Sequence, residues 1–238
     1  MSAAPGVGAG GPAGTPGGEH VRLARDGDAG RITLNRPDRL NALTLPMVHD
    51  IAAALDAWGQ DPAVRVVLIE GAGPRGFCAG GDIKTLYDSA HAGDGHAQTF
   101  WAEEYRLNAE IAGHPKPVVA FMHGIVMGGG VGLSSHARHR VATETTRLAM
   151  PEVGIGLIPD VGGTWLLSRA PGEIGTYLAL TGVQIGAADA ILAGLADRRV
   201  PQTDLDALAA ALARGGERVE AAIERHASAP GEAPLAAA

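Results

Sequence analysis

Lysine is almost missing from this 238-residue chain, with Lys84 and Lys116 the two present. Arginine brings the basic total to 19 against 26 acidic residues, and no basic run occurs. A net charge of −7 without a basic patch argues against nucleic acid as a main partner. Cysteine is reduced to Cys78, so no disulfide can form within the chain, and a cytoplasmic setting is expected. Aromatic residues make up 4% of the sequence and hydrophobic residues 46%. Val, Leu, Ile and Ala must therefore fill the core. No apolar run is long enough to span a bilayer, and the N-terminus has neither the basic nor the apolar region of a secretory signal.

Catalytic signatures are missing too. There is no GxxxxGK[ST] phosphate loop, and Ser134 and Ser135 stand in Leu133-Ser134-Ser135-His136, not in the GxSxG turn of a serine hydrolase. His91, His96, His136 and His139 form no HExxH-like pattern and find no carboxylate at ligand spacing, so no metal is expected. Gly71-Ala72-Gly73-Pro74-Arg75-Gly76 has dinucleotide-binding spacing after a strand. No helix opens directly on it, however, and no strand presents the acidic partner that a ribose needs. Cys78 reads as a small packing residue and not as a nucleophile.

What is present alternates. Met1–Gly18 is Gly, Ala and Pro, a disordered tail by composition. His20–Arg25 and Arg31–Asn35 flank Asp26-Gly27-Asp28 as a hairpin. Thr44 precedes a helix in which Val48, Ile51, Ala52, Leu55 and Trp58 recur at helical spacing. Val64–Ile69 and Val118–Val126 read as strands buried on both faces. Ala97–Ala112 reads as a helix, and Asp88–Gly95 before it as a mobile turn. Short helices are expected over Val161–Arg169, Glu173–Thr181 and Ala187–Ala193, a strand at Asp197–Val200, and Ala-rich helices at Leu205–Arg214 and Arg218–His226. The fold class is α/β. The expected organisation is a catalytic domain over 19–200, C-terminal helices over 201–228 and a disordered tail over 229–238.

Two carboxylates stand out in Met150–Gly163, where Glu152 and Asp160 are set among apolar residues, glycine and proline. Unpaired carboxylates are costly in such company, which marks them as candidates for chemistry. Asp160 also suits a helix N-cap. Two glycine-rich turns, Ala79-Gly80-Gly81-Asp82 and Gly128-Gly129-Gly130, each follow a buried strand and precede a helix. Backbone N–H groups at such turns are unpaired, and glycine lets a ligand carbonyl approach them. Either these are tight turns under close packing, or they supply the two donors of an oxyanion hole.

These residues resemble the crotonase superfamily, the enoyl-CoA hydratase/isomerase group. The resemblance is carried in order by Asn35-Arg36-Pro37, Asn41-Ala42-Leu43, Phe77–Ile83, His123-Gly124, Gly128-Gly129-Gly130, Pro151-Glu152, Gly156, Pro159 and Gly162-Gly163, across Val21–Val200. It implies a spiral of ββα repeats with C-terminal helices and an acyl-CoA substrate whose carbonyl oxygen accepts from the N–H groups of Gly81 and Gly129. Hydratases of the group carry a second catalytic Glu where this chain has Gly132, and glycine where it has Asp160. The combination here is similar to the 3-hydroxyisobutyryl-CoA hydrolase branch, a step of valine degradation, which places Glu104 at the substrate pocket together with Asp82 and Ile83.

The implied reaction is thioester hydrolysis. Glu152 either attacks the carbonyl or deprotonates the attacking water, and Asp160 either binds the 3-hydroxyl or orients water and Glu152. A side chain at Gly129 is expected to crowd the thioester carbonyl. Coenzyme A is part of the substrate, and no further cofactor is implied. Members of this branch continue into a long helical C-terminal region that helps close the pocket and mediates assembly. This chain ends soon after His226, which sets a silent acyl-CoA-binding subunit beside the hydrolase and hydratase readings and leaves homo-oligomer formation open.

Overall fold

Gly27 takes the left-handed conformation (φ 53°) that a tight reversal needs, so β1 (Val21–Asp26) and β2 (Ala29–Leu34) pair antiparallel as a hairpin. The computed structural model describes residues 18–237, so the expectation for the N-terminal tail, Gly18 apart, lies outside the described residues. Thr44 stands at the N-cap of α1 (Leu45–Gln60) with Pro46 in the first turn, and Met47, Val48, Ile51, Leu55 and Trp58 turn inward. From there the chain repeats one unit three times. Each repeat places a strand in a six-stranded sheet, then a short strand in a three-stranded sheet, then helix. The first is β3 (Val66–Gly71), β4 (Gly76–Cys78), α2 (Ile83–Ala92) and α3 (His96–Gly113). The second is β5 (Val118–Met122), β6 (Ile125–Met127) and α4 (Gly129–Ser135). The third is β7 (His139–Ala142), β8 (Arg147–Ala149), α5 (Gly163–Leu167), α6 (Ile174–Thr181) and α7 (Ala187–Leu192). The chain then adds β9 (Arg198–Arg199) and folds α8 (Leu205–Arg214) and α9 (Val219–His226) over the sheet.

The large sheet runs β1-β2-β3-β5-β7-β9 and the small one β4-β6-β8; all pairs but the first are parallel. Parallel strands need both faces covered, and period-2 alternation decides which residue goes where. Val67, Ile69, Val118, Ala120 and Met122 face the core shared with α1, α3 and α4. Leu68, Val119, Phe121 and Val141 face a second core under α8 and α9, with Leu208, Leu212 and Ile223. Each such burial is worth about 1.5–3 kcal/mol per aliphatic side chain. This two-sided demand explains the uncharged runs in the sequence.

The sequence reading departs from the structure at four places. The single strand expected over Val118–Val126 is two strands in different sheets. The chain turns at Gly124 (φ 54°), where a Cβ would come within 2.4 Å of the Arg75 carbonyl oxygen. Strand β4 lies in a glycine-rich segment that has no strand signature of its own and forms only by pairing with β6. The expected mobile turn from Asp88 is instead the last helical turn of α2, closed by Gly93 at φ 65°. At the C-terminus, where a disordered tail was expected over 229–238, Pro234–Ala237 forms a 3-10 turn. The Leu235 side chain packs against the core, and its N–H donates to Asp189 Oδ1 at 2.9 Å.

Candidate active site

The three short parallel strands end side by side, and each releases one element of the site. After β4 comes Ala79–Asp82, after β6 Gly128–Gly130, and after β8 Met150–Glu152. The carboxyl ends of parallel strands are the usual place for a ligand in such sheets. Leu43 N–H donates to the Gly80 carbonyl (2.8 Å) and Asp82 N–H to the Leu43 carbonyl (2.9 Å), a parallel bridge that leaves the Gly81 N–H outside the pairing. Gly129 opens α4, where the first N–H groups have no intrahelical acceptor. Among the described residues neither the Gly81 nor the Gly129 N–H meets a hydrogen-bond acceptor within the chain. Gly80 (φ 99°) lets the two turns touch, since a Cβ there would lie 3.1 Å from the Met127 carbonyl oxygen and 3.3 Å from Gly129 N.

A pocket of about 170 Å³ opens on these turns, lined among others by Gly81, Gly129, Glu104, Glu152 and Asp160. Ile83 lines it as well and is 52% exposed. Glu152 begins a 3-10 turn (Glu152–Ile155), is buried, and has Oε2 without a hydrogen-bond partner. Burial drives its pKa up to about 7; its own backbone N–H opposes the rise and the Asp160 charge adds to it. Glu104 reaches in from α3, 2% exposed, with Oε1 unpaired. Burial, then Asp160 and Glu152, raise it to about 8, so it is a neutral acid at pH 7. Asp160 is raised by burial, which outweighs the Tyr105 hydroxyl that donates to its Oδ2 at 2.8 Å.

Small residues make room for this arrangement. A Cβ on Gly129 would lie 2.2 Å from Glu104 Oε1, so the side chain expected to crowd a bound carbonyl meets Glu104 first. A Cβ on Gly132 would lie 2.9 Å from both polar atoms of Asn108, which sits one turn beyond Glu104 on α3 with neither atom paired. The backbone after Asp160 is strained. Val161, buried and β-branched, stands at φ 44°, a conformation that costs about 1–3 kcal/mol. Its carbonyl lies 2.7 Å from His136 Nε2, and the Asp160 carbonyl accepts from Gly163 N–H at 2.5 Å.

Most of the candidates read from the sequence therefore meet in one pocket, with one exception. Asp82 caps α2 through Thr85 N–H (3.4 Å) and pairs with Arg36 at 3.0 Å; it is absent from the pocket wall. Asp160 is not an N-cap, because Gly162 holds that position for α5. Tyr105 and Asn108 stand in the stretch Glu103–Asn108 that carries part of the resemblance, but of that stretch the sequence reading gave a role to Glu104 alone. All three lie in the middle of α3, and nothing in sequence shows which of its faces the pocket uses. The Gly71–Gly76 segment leads directly into β4, so no helix opens on it. Cys78 ends β4 fully buried, and burial pushes its thiol up to about 12. Among the described residues no group of three or more His, Cys, Asp or Glu is set to hold a metal ion. No described helix is long and apolar enough to cross a membrane.

Comparison with solved structures first fixes the class. A carnitinyl-CoA dehydratase from Mycobacterium thermoresistibile superposes with a TM-score of 0.89 and 52% identity over 92% of this chain and 64% of that one. An enoyl-CoA hydratase from Rhodobacter sphaeroides 2.4.1 gives a TM-score of 0.80 and 56% identity over 82% of this chain and 58% of that one. The architecture is the crotonase fold, a spiral of ββα repeats. The family model described as enoyl-CoA hydratase/isomerase matches residues 29–237, and the chain belongs to that family. Among curated relatives, the mitochondrial 3-hydroxyisobutyryl-CoA hydrolases of Xenopus tropicalis and Homo sapiens are 50% and 49% identical, each over 79% of this chain. The chain spans about half the length of those relatives, 50% and 48% respectively.

Proposed function

We propose that this chain hydrolyses a short 3-hydroxyacyl-CoA thioester, with 3-hydroxyisobutyryl-CoA the favoured substrate. The observation that carries the reading is the absence of an acid at Gly132, whose Cβ space is taken by Asn108, beside a Glu152 that lines the pocket and keeps Oε2 without a hydrogen-bond partner. Hydration of an enoyl thioester needs one group to place water at the β-carbon and another to manage the α-proton. Thioester hydrolysis needs a single base or nucleophile and an oxyanion hole. The names of the curated relatives favour the same reaction.

In the proposed reaction the thioester carbonyl oxygen accepts from the Gly81 and Gly129 N–H groups, which stabilise the developing oxyanion. Glu152 as carboxylate either attacks the carbonyl carbon, releasing the coenzyme A thiolate and leaving an anhydride that water opens, or takes a proton from the water that attacks. Both routes consume one water and give the free acid and the free thiol. Asp160 accepts from the 3-hydroxyl or orients the water. Glu104, neutral at pH 7, donates a hydrogen bond where an ionised carboxylate could only accept.

A second reading, hydration, is favoured by the names of the solved structures. A panel of acyl-CoA thioesters with free-thiol detection separates the two. Thiol release from 3-hydroxyisobutyryl-CoA with little hydration of crotonyl-CoA is expected. Efficient hydration without thiol release would overturn the hydrolase reading, and binding without turnover would favour a silent acyl-CoA-binding subunit.

A further inference from the structure

Tyr105 lies one residue beyond Glu104 on α3, 43% exposed, with its hydroxyl 2.8 Å from Asp160 Oδ2. Fifty-five residues separate the two in sequence, so the contact joins the α3 wall of the pocket to the loop after Glu152. Among the described residues Asp160 has no cationic partner, and the groups that face it are Tyr105 and Glu104 from α3 and Glu152 from the 3-10 turn. His136 approaches only the next residue, at the Val161 carbonyl. The loop backbone is already fixed by Val161 in its strained conformation and by the Asp160 carbonyl bond to Gly163. What remains free is rotation of the Asp160 carboxyl, on which its own N–H and the Tyr105 phenol both act.

We propose that Tyr105 is a positioning residue that holds the Asp160 carboxyl in one orientation and in its ionised form, turned to the same pocket as Glu152. The inference deepens the hydrolase reading and rests on it for the reaction affected, though not for the contact itself. A neutral donor suits the task. An arginine here would pair with Glu152 or Glu104 as readily as with Asp160 and would quench the carboxylate meant to react. A phenol stabilises the ionised Asp160 by one hydrogen bond and brings no charge. Burial and the Asp160 bond together raise the phenol's own pKa, so it stays a donor through the whole working range.

The test replaces the hydroxyl alone. Tyr105→Phe keeps the ring on an exposed helix face and should fold as the parent does, which circular dichroism checks. Carboxyl 13C NMR on protein labelled at aspartate, with Asp160→Asn to assign the signal, follows Asp160 without need of turnover. The Asp160 midpoint should rise in Tyr105→Phe. In parallel, kcat for 3-hydroxyisobutyryl-CoA should fall about tenfold at neutral pH, the scale of one hydrogen bond to a charged group, with KM little changed and the acidic limb of the rate profile displaced upward. An Asp160 midpoint identical in the two proteins would overturn the proposal, as would a loss of kcat at every pH with no displaced limb. If neither protein releases thiol from any acyl-CoA, the hydrolase reading fails while the NMR titration still decides the role of Tyr105.

Discussion

Two groups of carboxylates in this protein stand in contrast. Three on the frame meet arginine. Arg31 holds both oxygens of Glu70 at 2.8 and 3.0 Å, Arg36 holds Asp82 at 3.0 Å, and Arg140 holds Asp197 through Nε at 3.0 Å. In the pocket, Glu104, Glu152 and Asp160 share one cavity with no arginine or lysine among its lining residues, and among the described residues the one side chain that donates to any of the three is a neutral phenol. The chain is rich in arginine, so the difference is a property of the site and not of supply. A guanidinium lowers a carboxylate's basicity, and at Asp82 the upward pull of burial is overcome by Arg36 together with the Thr85 N–H and the charge of Arg39. Burial without a partner does the reverse, and keeps Glu152 basic enough to work near neutral pH.

The sharpest way to break this contrast is to remove the reactive carboxylate. Glu152→Gln should bind the thioester while losing about 10³-fold or more in kcat, the scale of a general base or nucleophile. In the parent, the rate should rise with pH through about 7 as Glu152 ionises, because the deprotonated form acts. A Glu152→Gln protein with a tenth of parental turnover would mean that the reactive group lies elsewhere.

A second change tests the cost of the unpaired cluster. Glu104 titrates near 8 folded against an ordinary value of 4.5, so its protonated form favours folding. Its stabilising contribution is complete below pH 4.5 and declines as pH rises toward 8. Glu104→Gln imitates the neutral acid at every pH. It should match the parent in stability near pH 4.5 and exceed it by on the order of 3 kcal/mol at pH 7, read from denaturant melts. Equal stability at both pH values would show that Glu104 is solvated or paired in the folded protein.

The contrast between the two settings was only half visible in sequence. Glu152 and Asp160 announced themselves because nothing polar surrounds them along the chain, and the glycine turns because each follows an uncharged run. Those signals are local. The ordinary fate of Asp82 was hidden because its partner, Arg36, lies 46 positions away. The motif around Asn41 was read only as a family likeness. In the structure its buried side chain donates to the Ala72 and Gly76 carbonyls (3.0 and 2.9 Å) and accepts from Arg36 N–H, bracing the loop that delivers β4. Tyr105, Asn108 and the division of one expected strand into β5 and β6 depend likewise on contacts across the spiral, which no spacing rule reports.

The smallest expected effect belongs to the frame. Arg36→Met keeps much of the aliphatic stem but removes the guanidinium that also donates to the Ala42 carbonyl at 2.6 Å. The ion pair is largely covered, with side-chain exposures of 14% and 19%, so its loss falls between that of a surface and a buried pair, about 2 kcal/mol, or ~6 °C in Tm for a chain of this size. Asp82 has a depressed pKa, so the stability it contributes is present above the ordinary aspartate value of 3.8 and is lost as pH falls through its lower folded value. The gap between Arg36→Met and the parent should therefore stay constant from pH 7 to pH 5 and close only in stronger acid. Turnover should change by no more than a few-fold, since Asp82 caps α2 and lines no part of the pocket. A hundredfold loss of kcat in a protein that melts within a few degrees of the parent would put Asp82 back among the reacting groups and erase the distinction between the paired and unpaired carboxylates.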